Sequence, residues 1–281
     1  MFPATPMHDF AALLTSSPPL AIGLALLVGL AIGSFLNVVI YRVPKMLERA
    51  WAAEAAEAAA GIGASGAAAQ ANVPADEPFN LLVPRSTCPH CGHHIRAWEN
   101  IPVLGWLMLR GRCASCGSSI SPRYPIVELA TGVLSALAIA HYGATLAGLG
   151  AMVLLWFLIA LTFIDADTQL LPDSMTLPLL WLGLLLNLFD TFTDLRSAVI
   201  GAMAGYLLLW SIYWVFKAVT GKEGMGYGDF KLLAALGAWL SWQAILPIVL
   251  MASVIGAVVG LLMKLQGSLR EGRFVPFGDR K

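Results

Sequence analysis

From Pro18 to Ile40 the chain runs without a single charged side chain. A helix needs about 20 such residues to cross the bilayer core. In lipid no water satisfies the backbone, so a spanning run of this kind must be helical. The pattern recurs at Ile126–His141, Leu146–Ile164, Met175–Phe189, Ala198–Val219 and Phe230–Met263. The last run is long enough for two helices, with a bend expected at Ser241, Trp242 and Gln243. Charged residues make up only 12% of the 281 residues and apolar residues 58%. A soluble domain carries about 25% charge, so this chain lacks the polar side chains to cover a water-facing globule. The expected fold is an all-α polytopic membrane protein. It has seven transmembrane helices, eight being the other count the sequence allows, and a cytoplasmic loop domain.

Lys and Arg resist translocation and so report orientation. Of the 17 basic residues, 16 fall in the loop 41–124, the segment 217–231 or the C-terminal tail, and only Arg196 falls on the other side. This predicts an outside N-terminus and a cytoplasmic loop and tail. The first span is too long for a signal-peptide core and has no basic region before it, so it is expected to stay attached. Four parts follow: residues 1–41 with the first span, a loop at 42–124, a membrane core at 125–265 and a tail at 266–281. Within the loop, residues 50–75 are alanine-rich and read as a short surface helix and linker. The zero net charge gives no whole-chain reason for nucleic-acid binding.

The four cysteines form two C-x-x-C pairs, Cys88/Cys91 and Cys113/Cys116. Each pair sets two thiolates on one side of a tight turn, and two such turns complete a tetrahedron. Gly92 and Gly117 follow each second cysteine, where the chain must turn. In a cytoplasmic loop a metal is favoured over disulfides. The expectation is a structural Zn2+ site, closed to water and so not catalytic. A redox pair, buried thiols, or replacement of one thiolate by His90, His93 or His94 are the alternatives.

Several of the few acids lie at the ends of apolar runs. Asp165, Asp167 and Asp173 follow the third span. Asp229 precedes the sixth, behind Gly226, Tyr227 and Gly228. A carboxylate inside a bilayer is costly and is a functional candidate by default. Asp173 also fits a helix N-cap, and Asp229 could cap a helix from Phe230. Asp165 fits that role poorly, because an anion at a helix C-terminus opposes the dipole. Gly226 and Gly228 would permit a close backbone approach by a substrate strand. Two carboxylates near one water form an acid–base pair for hydrolysis without a covalent intermediate. Asn37 in the first span reads as a packing hydrogen bond, and Glu128 as an interhelical partner.

Four blocks, taken in order, resemble the bifunctional type IV prepilin peptidases over roughly residues 20–265. They are Gly33–Pro44 with Met46–Glu48; the two cysteine pairs with Arg110–Arg112 and Ser121–Glu128; Asp165–Asp173; and Gly226–Lys231. The resemblance implies that Asp165 and Asp229 are the paired catalytic aspartates. Asp167, Pro172, Asp173, Gly226, Gly228 and Lys231 lie in the matching blocks as supporting residues. It implies cleavage of a basic leader from prepilins and pseudopilins at the cytoplasmic face of a bacterial inner membrane. It further implies methylation of the new N-terminus from S-adenosylmethionine, with Glu48 and the cysteine loop as candidate contributors. Membrane lipid is the expected surrounding. The main alternative is a non-enzymatic zinc-loop scaffold of a pilus or type II secretion machine; a small-solute transporter ranks below it.

Overall fold

A computed structural model describes residues 13–61 and 78–270. The described residues are helical, with no strand longer than an isolated bridge. The main helices are α1 (Pro18–Gly61), α2 (Leu104–Met108), α3 (Arg123–Tyr142), α4 (Leu146–Thr168), α5 (Asp173–Asn187), α6 (Leu195–Thr220), α7 (Tyr227–Leu240) and α8 (Ile245–Arg270). Five helices are long and apolar enough to cross a membrane: Pro18–Ala59, Arg123–Tyr142, Leu146–Thr168, Leu195–Thr220 and Trp242–Lys264. The other two apolar runs form α5 and α7, of only 15 and 14 residues. At 1.5 Å per residue each is about 22 Å long, short of a core about 30 Å thick. The count of seven crossings therefore includes two helices below full span length. The expected bend is present: Ser241 has a positive φ, and a 3-10 turn at Trp242–Ala244 separates α7 from α8.

One boundary differs from the sequence expectation. The first span does not stop at Ile40 but continues as α1 for 44 residues, with Pro44 inside it. Residues 50–61 of the alanine-rich stretch thus extend the spanning helix, and 62–77 lie outside the described residues. Alanine is the strongest helix former, so nothing in this stretch ends the helix. At the other end, residues 266–270 of the expected tail belong to α8, and 271–281 lie outside the described residues.

The chain divides into two compact units, 1–179 and 180–281, within α5. In the first unit α1, α3 and α4 pack together. Lipid is as apolar as leucine, so such helices associate through close packing and hydrogen bonds. Gly29 and Gly33 of α1 lie against Gly132, Thr131 and Ser135 of α3. The Ser135 hydroxyl donates to Thr131 O at 2.7 Å and accepts from the Trp156 indole of α4 at 2.9 Å.

In the second unit α6 and α7 cross with their backbones touching at Gly201 and Gly237. Asn187, fully buried at the end of α5, holds this unit's outer turn. Its amide donates to Ala238 O (2.8 Å) and Trp239 O (3.2 Å), and its carbonyl accepts from Phe192 N and Thr193 N. Asp194 then caps α6 by accepting from Ser197 N at 2.9 Å.

A side chain at Gly237 has no room against Gly201. Gly237→Leu is expected to cost about 1–3 kcal/mol or more by forcing the helices apart. Thermal unfolding in detergent should show a clearly lowered midpoint, whereas Gly256→Ala, in open space on α8, should leave it unchanged.

Candidate active site and metal centre

The cysteine loop is built from two copies of one turn. In the first, Cys88 N donates to His93 O (2.9 Å) and Gly92 N to Cys88 O (2.9 Å). In the second, Cys113 N donates to Ser118 O (2.8 Å) and Gly117 N to Cys113 O (3.0 Å). Gly92 and Gly117 both have φ of 70°, the left-handed conformation that a Cβ disfavours. A single bridge closes each turn, Thr87 to His94 and Arg112 to Ser119.

Together the turns bring the four sulfurs within 4.8 Å of one another. Cys88 Sγ lies 3.9 Å from Cys116 Sγ, and Cys91 Sγ lies 4.0 Å from Cys113 Sγ. A tetrahedron of 2.3 Å metal–sulfur bonds has edges of about 3.8 Å, so the set fits a four-thiolate metal site. The thiols also carry opposed proton affinities. Backbone N–H groups at His90 and Cys91, with the Ser118 hydroxyl, lower the Cys88 thiol to about 6. The backbone N–H at His93 acts to lower Cys91, but burial and the other thiols outweigh it and push Cys91 up to about 11. Four sulfurs this close resist common ionisation unless a cation neutralises them.

Residues around the thiols complete the site. Ser118 Oγ is 3.1 Å from Cys116 Sγ and 3.7 Å from Cys88 Sγ. His93 is engaged by Glu99, with Nε2 to Oε2 at 3.1 Å, and the cluster of potential ligand atoms consists of the four cysteines. Glu99 also accepts from Arg96 N at 3.0 Å, and that amide first, then His93, hold its carboxyl below the usual range. Between the two turns α2 supplies a brace, with the Trp106 indole donating to Ile120 O at 3.1 Å.

Two side chains fasten this loop to the helices. Glu128 of α3 accepts from Val103 N at 2.6 Å, and Ser34 of α1 hydrogen-bonds to it. Arg42 of α1 is buried; it donates to Asn80 O (2.7 Å) and Pro84 O (2.5 Å) and lies over the Phe79 ring. Asn37 donates to Tyr124 O at 3.1 Å, the packing role expected of it. The sequence reading took Arg42 only as an orientation marker. Its signal was a cation one turn past an apolar run, followed by no acid able to pair it until Glu48.

The candidate aspartates occupy helix ends. Asp165 lies three residues before the end of α4, partly buried. Gln169, in the left-handed conformation, closes α4 by donating both its backbone N–H (2.8 Å) and its side-chain amide (3.0 Å) to Asp165 O. Asp167 is exposed and forms a two-pronged pair with Arg123 of α3, at 2.8 and 2.7 Å. Arg123 also lies over the Phe163 ring and was missed as a partner. Pro172 starts α5, since its carbonyl accepts from Met175 N and Thr176 N, both at 3.0 Å. Asp173 is therefore in the first turn of α5 and is not its N-cap.

In the second unit α7 begins at Tyr227 with Gly226 as N-cap, so Asp229 lies in the first turn and does not cap the helix. Asp229 N donates to Gly226 O at 3.3 Å. Gly226 has an ordinary extended conformation, with only Asp229 Oδ2 within 4 Å of a modest added side chain. The loop is instead set by its aromatic neighbours. Phe230 is fully buried and packs edge-on against Tyr206, Tyr213 and Tyr227. Lys217 bridges Tyr213 Oη (3.2 Å) and Glu223 (2.8 Å) across the turn that leads to Gly226. Asp165 belongs to the first unit and Asp229 to the second. Gly228 lies in α7's first turn and Lys231 just after it, both partly buried.

Two family models match: the bacterial peptidase A24 N-terminal domain over residues 27–142 and the type IV leader peptidase family over 152–261. The chain belongs to the type IV leader peptidase family. A Burkholderia pseudomallei prepilin leader peptidase/N-methyltransferase is 54% identical over 98% of this chain and 86% of its own length. Relatives of the same name from Aeromonas hydrophila and Pseudomonas aeruginosa are 55% and 52% identical. They cover 93% and 97% of this chain and 87% and 90% of their own lengths. No solved structure matches. The first family model ends with α3 and the second begins at residue 152, within α4, so Asp165 and Asp229 both fall within the second.

Cys113→Ser is expected to reduce bound metal from about one atom per chain to near zero by elemental analysis, because three thiolates leave a four-coordinate site open. Residues 78–122 should become protease-sensitive in the same variant. Asp167→Asn breaks an ion pair that is a third or more exposed on both sides, 36% and 42%. It should cost no more than about 1 kcal/mol in stability.

Proposed function

We propose that this chain removes the leader of prepilins and pseudopilins and then methylates the new N-terminus. The observation that carries this reading is the end-to-end similarity to prepilin leader peptidase/N-methyltransferases, with both candidate aspartates inside the matched peptidase region. The relatives' names lend no support to a scaffold without activity. Prepilins are membrane-anchored by an apolar helix that follows the cut, so the reaction must occur at a membrane edge. Asp165 and Asp229 both stand at ends of apolar helices, which suits that depth.

In the proposed mechanism one carboxylate, ionised, takes a proton from water as the water attacks the scissile carbonyl. The other, protonated, donates a hydrogen bond to the carbonyl oxygen. The tetrahedral centre collapses as its C–N bond breaks, and the leaving amine takes up the proton that the first carboxylate had removed from water. Gly226 and Gly228 serve the site by setting the start of α7, which carries Asp229, Lys231 supports it from the next turn, and Pro172 and Asp173 support it by starting α5 just after Asp165. Asp167 serves through Arg123, which it fixes against the end of α4. Cys88, Cys91, Cys113 and Cys116 would hold Zn2+ as a structural ion, which would stabilise the loop and leave cleavage to the aspartates. The methyl donor is S-adenosylmethionine, which supplies the transferred methyl group when bound.

The orientation places the metal loop and the helix ends carrying the aspartates in the cytoplasm, at a bacterial inner membrane. The one-sided basic residues support this. Residues 42–124 form the loop domain and 125–265 the peptidase core in this scheme.

Co-expression with a prepilin, followed by mass measurement of the pilin, tests both activities. The wild-type chain should yield a pilin without its leader and with one added methyl group. Asp165→Asn and Asp229→Asn should each leave the leader in place, a loss of at least about a hundredfold for an acid–base residue. Asp167→Asn should stay within about fivefold of wild type. Full cleavage by either Asn variant at position 165 or 229 would remove that residue from the mechanism.

A further inference from the structure

The metal loop presents a row of exposed apolar side chains that its own fold leaves uncovered. Leu104, Leu107 and Met108 of α2 are 56%, 55% and 66% exposed, with Trp98 and Ile101 exposed just before them. A contiguous patch of this kind on a polar loop marks a contact surface.

Its position relative to the bilayer is set by a hydrogen bond. Val103, the N-cap of α2, donates its backbone N–H to the buried Glu128 carboxylate at 2.6 Å. Glu128 is five residues into α3, a helix long and apolar enough to span, that begins at Arg123. Five residues are about 7.5 Å along a helix axis. The start of α2 is therefore held beside the first two turns of α3. The apolar run of α3 begins at Ile126, two residues before Glu128, and the start of such a run corresponds to the headgroup and acyl boundary.

The charges around α2 agree. Exposed Arg110 and Arg112 follow α2 directly, and Arg96 precedes it. Among residues 78–122 the sole acid is Glu99, and it is held by His93 and the Arg96 amide. Basic residues beside an apolar face are attracted to anionic lipid by about 1 kcal/mol each near the surface.

We propose that Leu104–Arg112 is an interfacial anchor. Leu104, Leu107 and Met108 enter the acyl boundary, and Arg110 and Arg112 rest among anionic headgroups. The anchor holds the metal loop at fixed depth beside the spanning helices. It is an assignment of a lipid-binding surface and is independent of which aspartates cut the substrate.

The test uses the full chain in vesicles of phosphatidylethanolamine and phosphatidylglycerol, with a co-reconstituted prepilin. A photoreactive p-benzoylphenylalanine replaces Leu107 in one variant and Met108 in a second. Both positions are exposed, so the fold has room for either. A third variant carries it at Glu57, an exposed position on α1 17 residues beyond the end of its apolar run at Ile40. After illumination, phospholipid adducts are expected at 107 and 108, at several times the yield found at 57. Leaving out phosphatidylglycerol should lower the yield at both positions several-fold. Lipid adducts absent from both, equal yields at all three positions, or crosslinking to prepilin in preference to lipid would each overturn the anchor. A yield unchanged without phosphatidylglycerol overturns the role given to Arg110 and Arg112.

Discussion

The carboxylate of Glu128 has to be satisfied where water is scarce, and one backbone amide from the metal loop satisfies it. A buried acid without a partner is costly, and a buried amide without an acceptor is costly as well. Each removes the other's penalty only if the loop reaches back to α3 at that level. Arg42 works in the same way from α1, closing on two loop carbonyls. These two residues make the loop part of the membrane structure.

The two candidate aspartates are placed by helix ends of opposite polarity. Asp165 lies in the last turn of α4, where Gln169 has already taken the carbonyl of the same residue twice. Asp229 lies in the first turn of α7, whose cap is a glycine with no side chain to offer. The surrounding order comes from elsewhere: Arg123 with Asp167 on one side, and the Tyr213, Tyr227 and Phe230 rings with Lys217 on the other.

Much of this was legible because charge is scarce. Against so apolar a background, the cysteine pairs, the aspartates at run ends and the bend at Ser241 were all visible as interruptions. The glycines after each cysteine pair were legible too, because a tight turn needs a positive φ there. Other features were not. The extent of α1 was hidden because alanine reads as featureless by pattern yet is a strong helix former. That α5 and α7 fall short of a full crossing was obscured because hydropathy does not distinguish a full span from a shorter buried helix. The hydrogen-bond partners of Arg42 and the acceptors of the Asn187 amide are far away in sequence, 38 to 52 residues, and Val103 lies 25 residues before Glu128. Nothing local specifies such pairs. The glycines of the Gly226–Asp229 block were expected to serve a close backbone approach. At Gly226 the structure shows a helix cap of ordinary conformation.

The unbroken length of α1 has a mechanical consequence. Its 44 residues make a rod about 66 Å long, more than twice the thickness of the bilayer core. Arg42 and the Arg49 guanidinium, which lies 4.1 Å over the Phe79 ring, grip the loop beyond the apolar stretch of this rod. Any tilt of the span is thereby carried outward as a displacement that grows with distance from the membrane. Bilayer thickness, which sets the tilt of long helices, becomes an input to the position of the metal loop.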